Sequence, residues 1–218
     1  IYVWPYELYQ KDRIRRYGFH GPSHQYVALH TAALMGRPVT ELKIITCHLG
    51  EGGSICAIDH GRSIDTSMGL TPLEGLMMPA RSGDIDPALV TYLQREKGMT
   101  HQQVEDYLNL ESGLKGFTGI SDDVREIIAS ANSGNRRAML ALQAYCYRIR
   151  KYIGAYFVAL GGLDALVFTA GVGEGSSGLR AMIMQGLWHL GIMIDEVKNR
   201  AIDMTQTKIA DISHADSK

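Results

Sequence analysis

The sequence predicts an α/β domain with a mixed sheet. Two observations carry that expectation. Early in the chain, β-rich runs at residues 54–59 and 63–65 flank His60-Gly61, a hairpin turn. Later, a single strand-like run at residues 164–169 stands between helical segments. The 218 residues are 45% apolar, enough for a substantial core in one large domain or two small ones.

The elements follow in order. Pro22-Ser23 opens a helix over residues 25–36, with Val27, Leu29, Ala32, Ala33 and Leu34 at helical spacing. Ser23 or Gly21 caps it and Gly36 stops it. Residues 43–47 form a short strand, and the hairpin leads into a Gly- and Pro-rich stretch, residues 66–87. Asp86 caps the next helix, with Pro87 at its first position. Residues 101–113 form another, closed by Gly113. Ser121, Asp122 and Asp123 cap residues 124–131, which end at 132–134. Asn135 opens the longest helix, ending at Gly161-Gly162. After the strand at 164–169 come Gly171, Gly173 and Gly175, and Ser176-Ser177 cap a last helix over 179–191. Met68, Met77, Met78 and the stripe Met182, Met184, Trp188, Met193 read as core fillers.

Composition narrows the function classes. With 22 basic and 23 acidic residues and a net charge of −1, the chain lacks the broad basic field of a nucleic-acid binder. Cys47, Cys56 and Cys146 form no CxxC, which argues against a disulfide framework or zinc knuckle and fits a reducing cytosol. Charges interrupt every long apolar stretch, so neither a membrane span nor a signal peptide is read. The chain opens on Ile1 and closes on a polar tail, which reads as a fragment of a longer protein or a trimmed chain.

Two strand-to-glycine units stand out, IITCHLGEGGS (44–54) and LVFTAGVGEGSS (166–177). Glycine lets backbone N–H groups converge on a phosphate, and a following helix N-terminus adds positive potential. Ser176 stands where a GxGxxG fingerprint needs its third glycine, and no GxxxxGK[ST] loop exists. A structural turn accounts for one such unit; two after two strands favour a nucleotide. Glu51 is the oddity, since a carboxylate within ~4 Å of a phosphate costs roughly 4 kcal/mol at an effective dielectric near 20. Either its side chain points away, Mg²⁺ bridges it, or the loop has lost its nucleotide.

Arg15, Arg16, His20 and His24 cluster in RRYGFHGPSH, and Arg81 sits beside Gly83 and near Asp84 in PARSGDIDP. Arg and His are the donors that hold phosphoryl oxygens. A metal site at His20, His24 and His48 is the rival, opposed by Gly21-Pro22, which interrupts regular helix between the first two. Asp123 and Arg125 are cap and surface charge, or nucleotide ligands. Asp65, Glu74, Asp84 and Asp86 are Mg²⁺ candidates or solvated acids.

Four motifs in order, RRYGFHGPSHQYV, the run HLGEGGS through DIDP (48–87), GISDDVRE and VFTAGVGEGSSGLR, resemble the acetate kinase family of short-chain carboxylate kinases from about Tyr6 to Asn199. The resemblance implies the ribonuclease H-like fold shared by actin, Hsp70-type chaperones and sugar kinases. It implies transfer of the ATP γ-phosphoryl group to acetate or a close relative with Mg²⁺, giving acyl phosphate and ADP. His20 and Arg81 would stabilise the transferring group, with His48 near the phosphates. His48, Leu49, Gly50, Glu51 and Gly52, with Gly171, Val172, Gly173, Glu174 and Gly175, would wrap phosphates and adenosine. Asp123, Val124 and Arg125 would line the nucleoside pocket, and Phe19 and Pro72 the substrate's apolar pocket. A cytoplasmic homodimer is implied.

The chain is expected to be the family's C-terminal domain plus part of the middle, residues 1–40 being a joining segment and the N-terminal domain absent. It departs from the family pattern at Pro22, Pro79-Ala80, Gly175 and Glu51. A kinase fragment with reduced or no activity alone is therefore expected. The rival is a non-catalytic nucleotide-binding or dimerisation module. A sugar kinase or chaperone of the same fold is a third, opposed by PLEGLMM and GFHG.

Overall fold

The computed structural model describes residues 2–203 and 209–217. They divide into two compact units interleaved in sequence.

One unit comprises residues 20–50, 55–65 and 146–218. Its sheet contains β1 (Lys43–Leu49), β2 (Gly53–Asp59), β3 (Arg62–Thr66) and β4 (Ala165–Thr169), in the order β3-β2-β1-β4. His60 and Gly61, both at positive φ, form the two-residue turn between β2 and β3. β1 and β4 run parallel, Ile44 opposite Ala165 and His48 opposite Thr169, so the sheet is mixed. Asp164 fastens their starting ends, accepting from the Lys43 N–H at 2.8 Å and from Arg37 at 2.7 Å.

α2 (Gly21–Met35) covers this sheet. Its Ala28 and Ala32 pack with Leu42, Ile44, Cys56 and Ile58, and with the half-buried Val39, Ala165 and Val167. The expected apolar spacing is corrected: His24, Ala28 and Ala32 are buried, while Leu29 and Leu34 are exposed. Residues four apart share a helix face, and the small alanines let the helix lie close to the strands. The expected cap is corrected too. His20, with φ +59°, is the N-cap, and the His24 N–H bonds to the His20 carbonyl at 2.9 Å. Pro22 lies in the first turn, where an N–H has no intrahelical partner, so it does not interrupt the helix as expected.

α7 (Arg136–Leu160) runs through both units. Cys146, Ile149, Ile153, Tyr156 and Leu160 give it a buried stripe at helical spacing in the sheet-bearing unit. Residues 170–175, expected as a glycine loop, form a short helix, α8 (Ala170–Gly175). α9 (Ser177–Met184) follows with Ser176 as N-cap. It ends before the expected boundary, at Gln185-Gly186, and a 3-10 turn covers Leu187–Leu190. Trp188 is exposed and stacks on His189, so it is not the core filler expected.

The second unit comprises residues 1–19, 51–54 and 66–145. It holds α1 (Tyr6–Asp12), α3 (Ala88–Lys97), α4 (His101–Leu110), α5 (Gly113–Thr118), α6 (Val124–Asn132) and the start of α7. Pro87 is the N-cap of α3, one residue later than expected, and Asp86 before it accepts from the Ala88 N–H at 2.9 Å. Thr100 and Gln103 form a capping box on α4 that sequence reading missed. Gly113 opens α5 instead of closing α4. With φ +60°, a Cβ there would sit 2.1 Å from the Met78 carbonyl oxygen, so only glycine fits. α5 anchors the loop before Arg81: Leu114 and Lys115 N–H groups bond to the Met78 and Pro79 carbonyls at 3.0 and 2.8 Å. α1 and α10 (Glu196–Ala201, in the sheet-bearing unit) were not foreseen.

Candidate functional site

Three histidines meet over the carboxyl end of β1. His20 enters from the N-cap of α2, His24 from its first turn, and His48 from β1. The rings of His20 and His48 stack at 4.0 Å and 16°. His24 meets both edge-on at 6.3 Å. Two hydrogen bonds tie α2 to alternate residues of β1, which point to one face of a strand. Ser23 Oγ lies 2.8 Å from His48 Nδ1, and Thr46 Oγ1 2.7 Å from His24 Nδ1.

Burial sets the charge of His24 and His48. His24 is pushed down to about 4, chiefly by desolvation and further by His20 and His48. Burial also lowers His48, while Glu174 opposes the shift. Two imidazolium rings stacked at 4.0 Å would repel, so the stacking disfavours a double charge on the pair. Among the described residues no group of three or more His, Cys, Asp or Glu is arranged to hold a metal ion. Burial raises the Cys47 thiol, which argues against a nucleophile there.

α8 begins where β4 ends. Gly173 is buried, and a Cβ there would lie 3.6 Å from the Leu49 Cβ, so the turn packs closely on β1. Ala170 has φ +66°, an uncommon conformation for a residue with a side chain. Glu174 braces it, accepting from Thr169 Oγ1 at 2.9 Å and the Ala170 N–H at 3.1 Å. Its carboxylate is thus turned onto its own helix start. Beneath α8, buried Arg180 donates to the Gly173 and Glu174 carbonyls at 2.8 and 2.6 Å. It also donates to the Asn199 side chain and carbonyl at 2.7 and 3.1 Å.

In the second unit, Arg81 is half-buried and donates to the Pro72 carbonyl at 3.4 Å, which brings two expected site residues together. Phe19 is exposed, Glu51 is exposed and Gly52 half-buried. Asp123 caps α6 through the Arg125 N–H and pairs with the Arg125 guanidinium at 2.6 Å. That guanidinium holds the Asp123 carboxyl below the usual range. Val124 is buried at the helix start.

A family model described as the Acetokinase family matches residues 1–218. The chain belongs to the acetokinase family. It is 56% identical over 219 residues to an acetate kinase of Caldanaerobacter subterraneus subsp. tengcongensis, covering 100% of this chain and 54% of that one. An acetate kinase of Dictyoglomus turgidum is 57% identical over 200 residues, 92% of this chain and 49% of that one. Among solved structures, the Porphyromonas gingivalis acetate kinase matches with a TM-score of 0.95 at 42% identity, over 100% of this chain and 54% of that one. A propionate kinase from Francisella tularensis subsp. tularensis SCHU S4 matches at 0.92 and 41%, over 99% and 54%. The likeness carries the expected fold, α/β with a mixed sheet of the actin and sugar-kinase type.

The chain spans about half the length of the curated acetokinases it matches. Its expected placement in their C-terminal half is not carried by these matches and is set aside. Sequence reading missed Ser23, Thr46, Thr169, Ala170 and Asn199 as parts of the site. Ala170 carries no signal for positive φ, and the Ser23 and Thr46 hydroxyls acquire their partners only where α2 meets β1.

Proposed function

We propose that the chain is part of a short-chain carboxylate kinase that transfers the γ-phosphoryl group of ATP to acetate or propionate, giving acyl phosphate and ADP. The stacked His20 and His48 pair, beside the α8 turn in a chain of the acetokinase family, is the observation that carries this reading. Phosphoryl transfer asks the protein for positioning and charge neutralisation over the equatorial oxygens, with little covalent chemistry. In this reading His20 and Arg81 steady the transferring group, and His48, Leu49, Gly50, Glu51, Gly52 and residues 171–175 serve the nucleotide phosphates and adenosine. Asp123, Val124 and Arg125 line the nucleoside pocket, and Phe19 and Pro72 border the substrate methyl. Mg²⁺ would bind through the phosphates, as it does where a protein offers no cage of its own.

The chain alone is proposed to have little or no turnover, because it corresponds to about half of each relative. A cytoplasmic homodimer fits the three free, buried cysteines and a stripe of exposed Leu140, Tyr147 and Val158 along α7. Among the described residues no helix is long and apolar enough to cross a membrane. Calorimetric titration with ATP and Mg²⁺, beside a sizing column, tests the reading. Saturable ATP binding that His48→Ala weakens supports it. A dimer that binds no nucleotide would favour a structural module and overturn the nucleotide role.

A further inference from the structure

We infer that Ser23 is a positioning residue that holds His48 in the tautomer carrying its proton on Nε2. The inference rests on the reading that His48 faces the nucleotide phosphates. Ser23 Oγ lies 2.8 Å from His48 Nδ1, and among the described residues this ring nitrogen is the hydroxyl's hydrogen-bond partner. A serine hydroxyl has one proton to place. Donated to Nδ1, that proton is satisfied, Nδ1 serves as acceptor, and the ring proton resides on Nε2. In the other tautomer Nδ1–H would donate to Oγ. The hydroxyl proton would then have no acceptor among the described residues, and Nε2 would present a lone pair.

The difference decides what the ring offers an anion. Nε2 of His48 has no hydrogen-bond partner among the described residues. With the proton there, the neutral ring is a donor toward a phosphoryl oxygen; without it, the ring repels one. The bond at one nitrogen of an imidazole sets the state of the other. Ser23 is well placed because α2 fixes it: it precedes His24, whose own ring is anchored on Thr46, two residues from His48 along β1.

Long-range ¹H–¹⁵N correlation of the labelled chain reads histidine tautomers directly, with His48→Gln assigning the signal. The wild type and Ser23→Thr should show His48 protonated at Nε2, and Ser23→Ala should lose that preference. A wild-type ring protonated at Nδ1, or an unchanged tautomer in a folded Ser23→Ala variant, overturns the inference. ADP titration of the same samples separates the two claims. Ser23→Ala should weaken ADP by about three- to tenfold, with Ser23→Thr near wild type. A tautomer change with unaltered ADP affinity would keep the role of Ser23 and overturn the placing of His48 at the phosphates.

Discussion

His24 illustrates how one buried ring ties stability to pH. Its pKa falls from 6.5 to about 4, first through burial and then through the neighbouring His20 and His48. The unfolded chain takes up this proton near 6.5, the folded chain only near 4. The unfolded state therefore binds more protons inside that window, and stability rises with pH across it. The contribution is whole above the upper value and is lost on acidification, by up to about 3 kcal/mol. Urea unfolding at neutral pH and at pH 4.5 checks this. Wild type should lose more stability than His24→Gln; equal losses would assign the acid sensitivity elsewhere. Glu51 has a different answer. Its side chain is exposed, where solvent and salt screen its charge. Glu51→Asn should change ATP affinity by less than about threefold in calorimetry, since screened charges interact weakly. A larger gain would mean that the carboxylate intrudes on the phosphates.

At the scale of elements, the lock beneath α8 invites a direct test. Arg180 is buried and joins α8 to Asn199 of α10 through four hydrogen bonds to neutral oxygens. Arg180→Gln cannot span these acceptors and should cost about 2–4 kcal/mol in urea unfolding, because buried carbonyls lose a charged donor. A cost under about 0.5 kcal/mol would contradict that account. Glycines sort in the same way. Gly113→Ala places a Cβ 2.1 Å from a backbone oxygen at φ +60°, whereas Gly173→Ala meets nothing nearer than 3.6 Å. The first should destabilise by roughly 2 kcal/mol or more and the second by less than about 1 kcal/mol. Much of the scaffold was legible in the sequence because its signals are local: the His60-Gly61 hairpin, the Asp123 cap and the long helix α7 between Asn135 and Gly161. The failures are tertiary. Gly113 looked like a stop because glycine is common at helix ends, yet it opens α5 under the Met78 carbonyl. Residues 170–175 looked like a loop because glycines rarely hold a helix. Thr169, Ala170, Glu174 and Arg180 hold this one from outside the glycine pattern. His20 and His48 were legible as motif members, but their stacking depends on a left-handed N-cap that histidine does not announce.

For the whole molecule, the matched family and the local geometry point the same way. One unit holds the stacked histidines and the α8 turn; the other holds Arg81 on Pro72 and the Asp123 cap. The most direct test is acyl phosphate formation from ATP and acetate, trapped as the hydroxamate, by this chain combined with the remaining half of an acetokinase-family relative. Neither part should turn over alone. The mixture should, and Arg81→Ala in this chain should slow it on the order of 100-fold or more, as loss of one transition-state donor does. Full activity of the isolated chain, or a mixture whose rate is untouched by Arg81→Ala, would contradict the account.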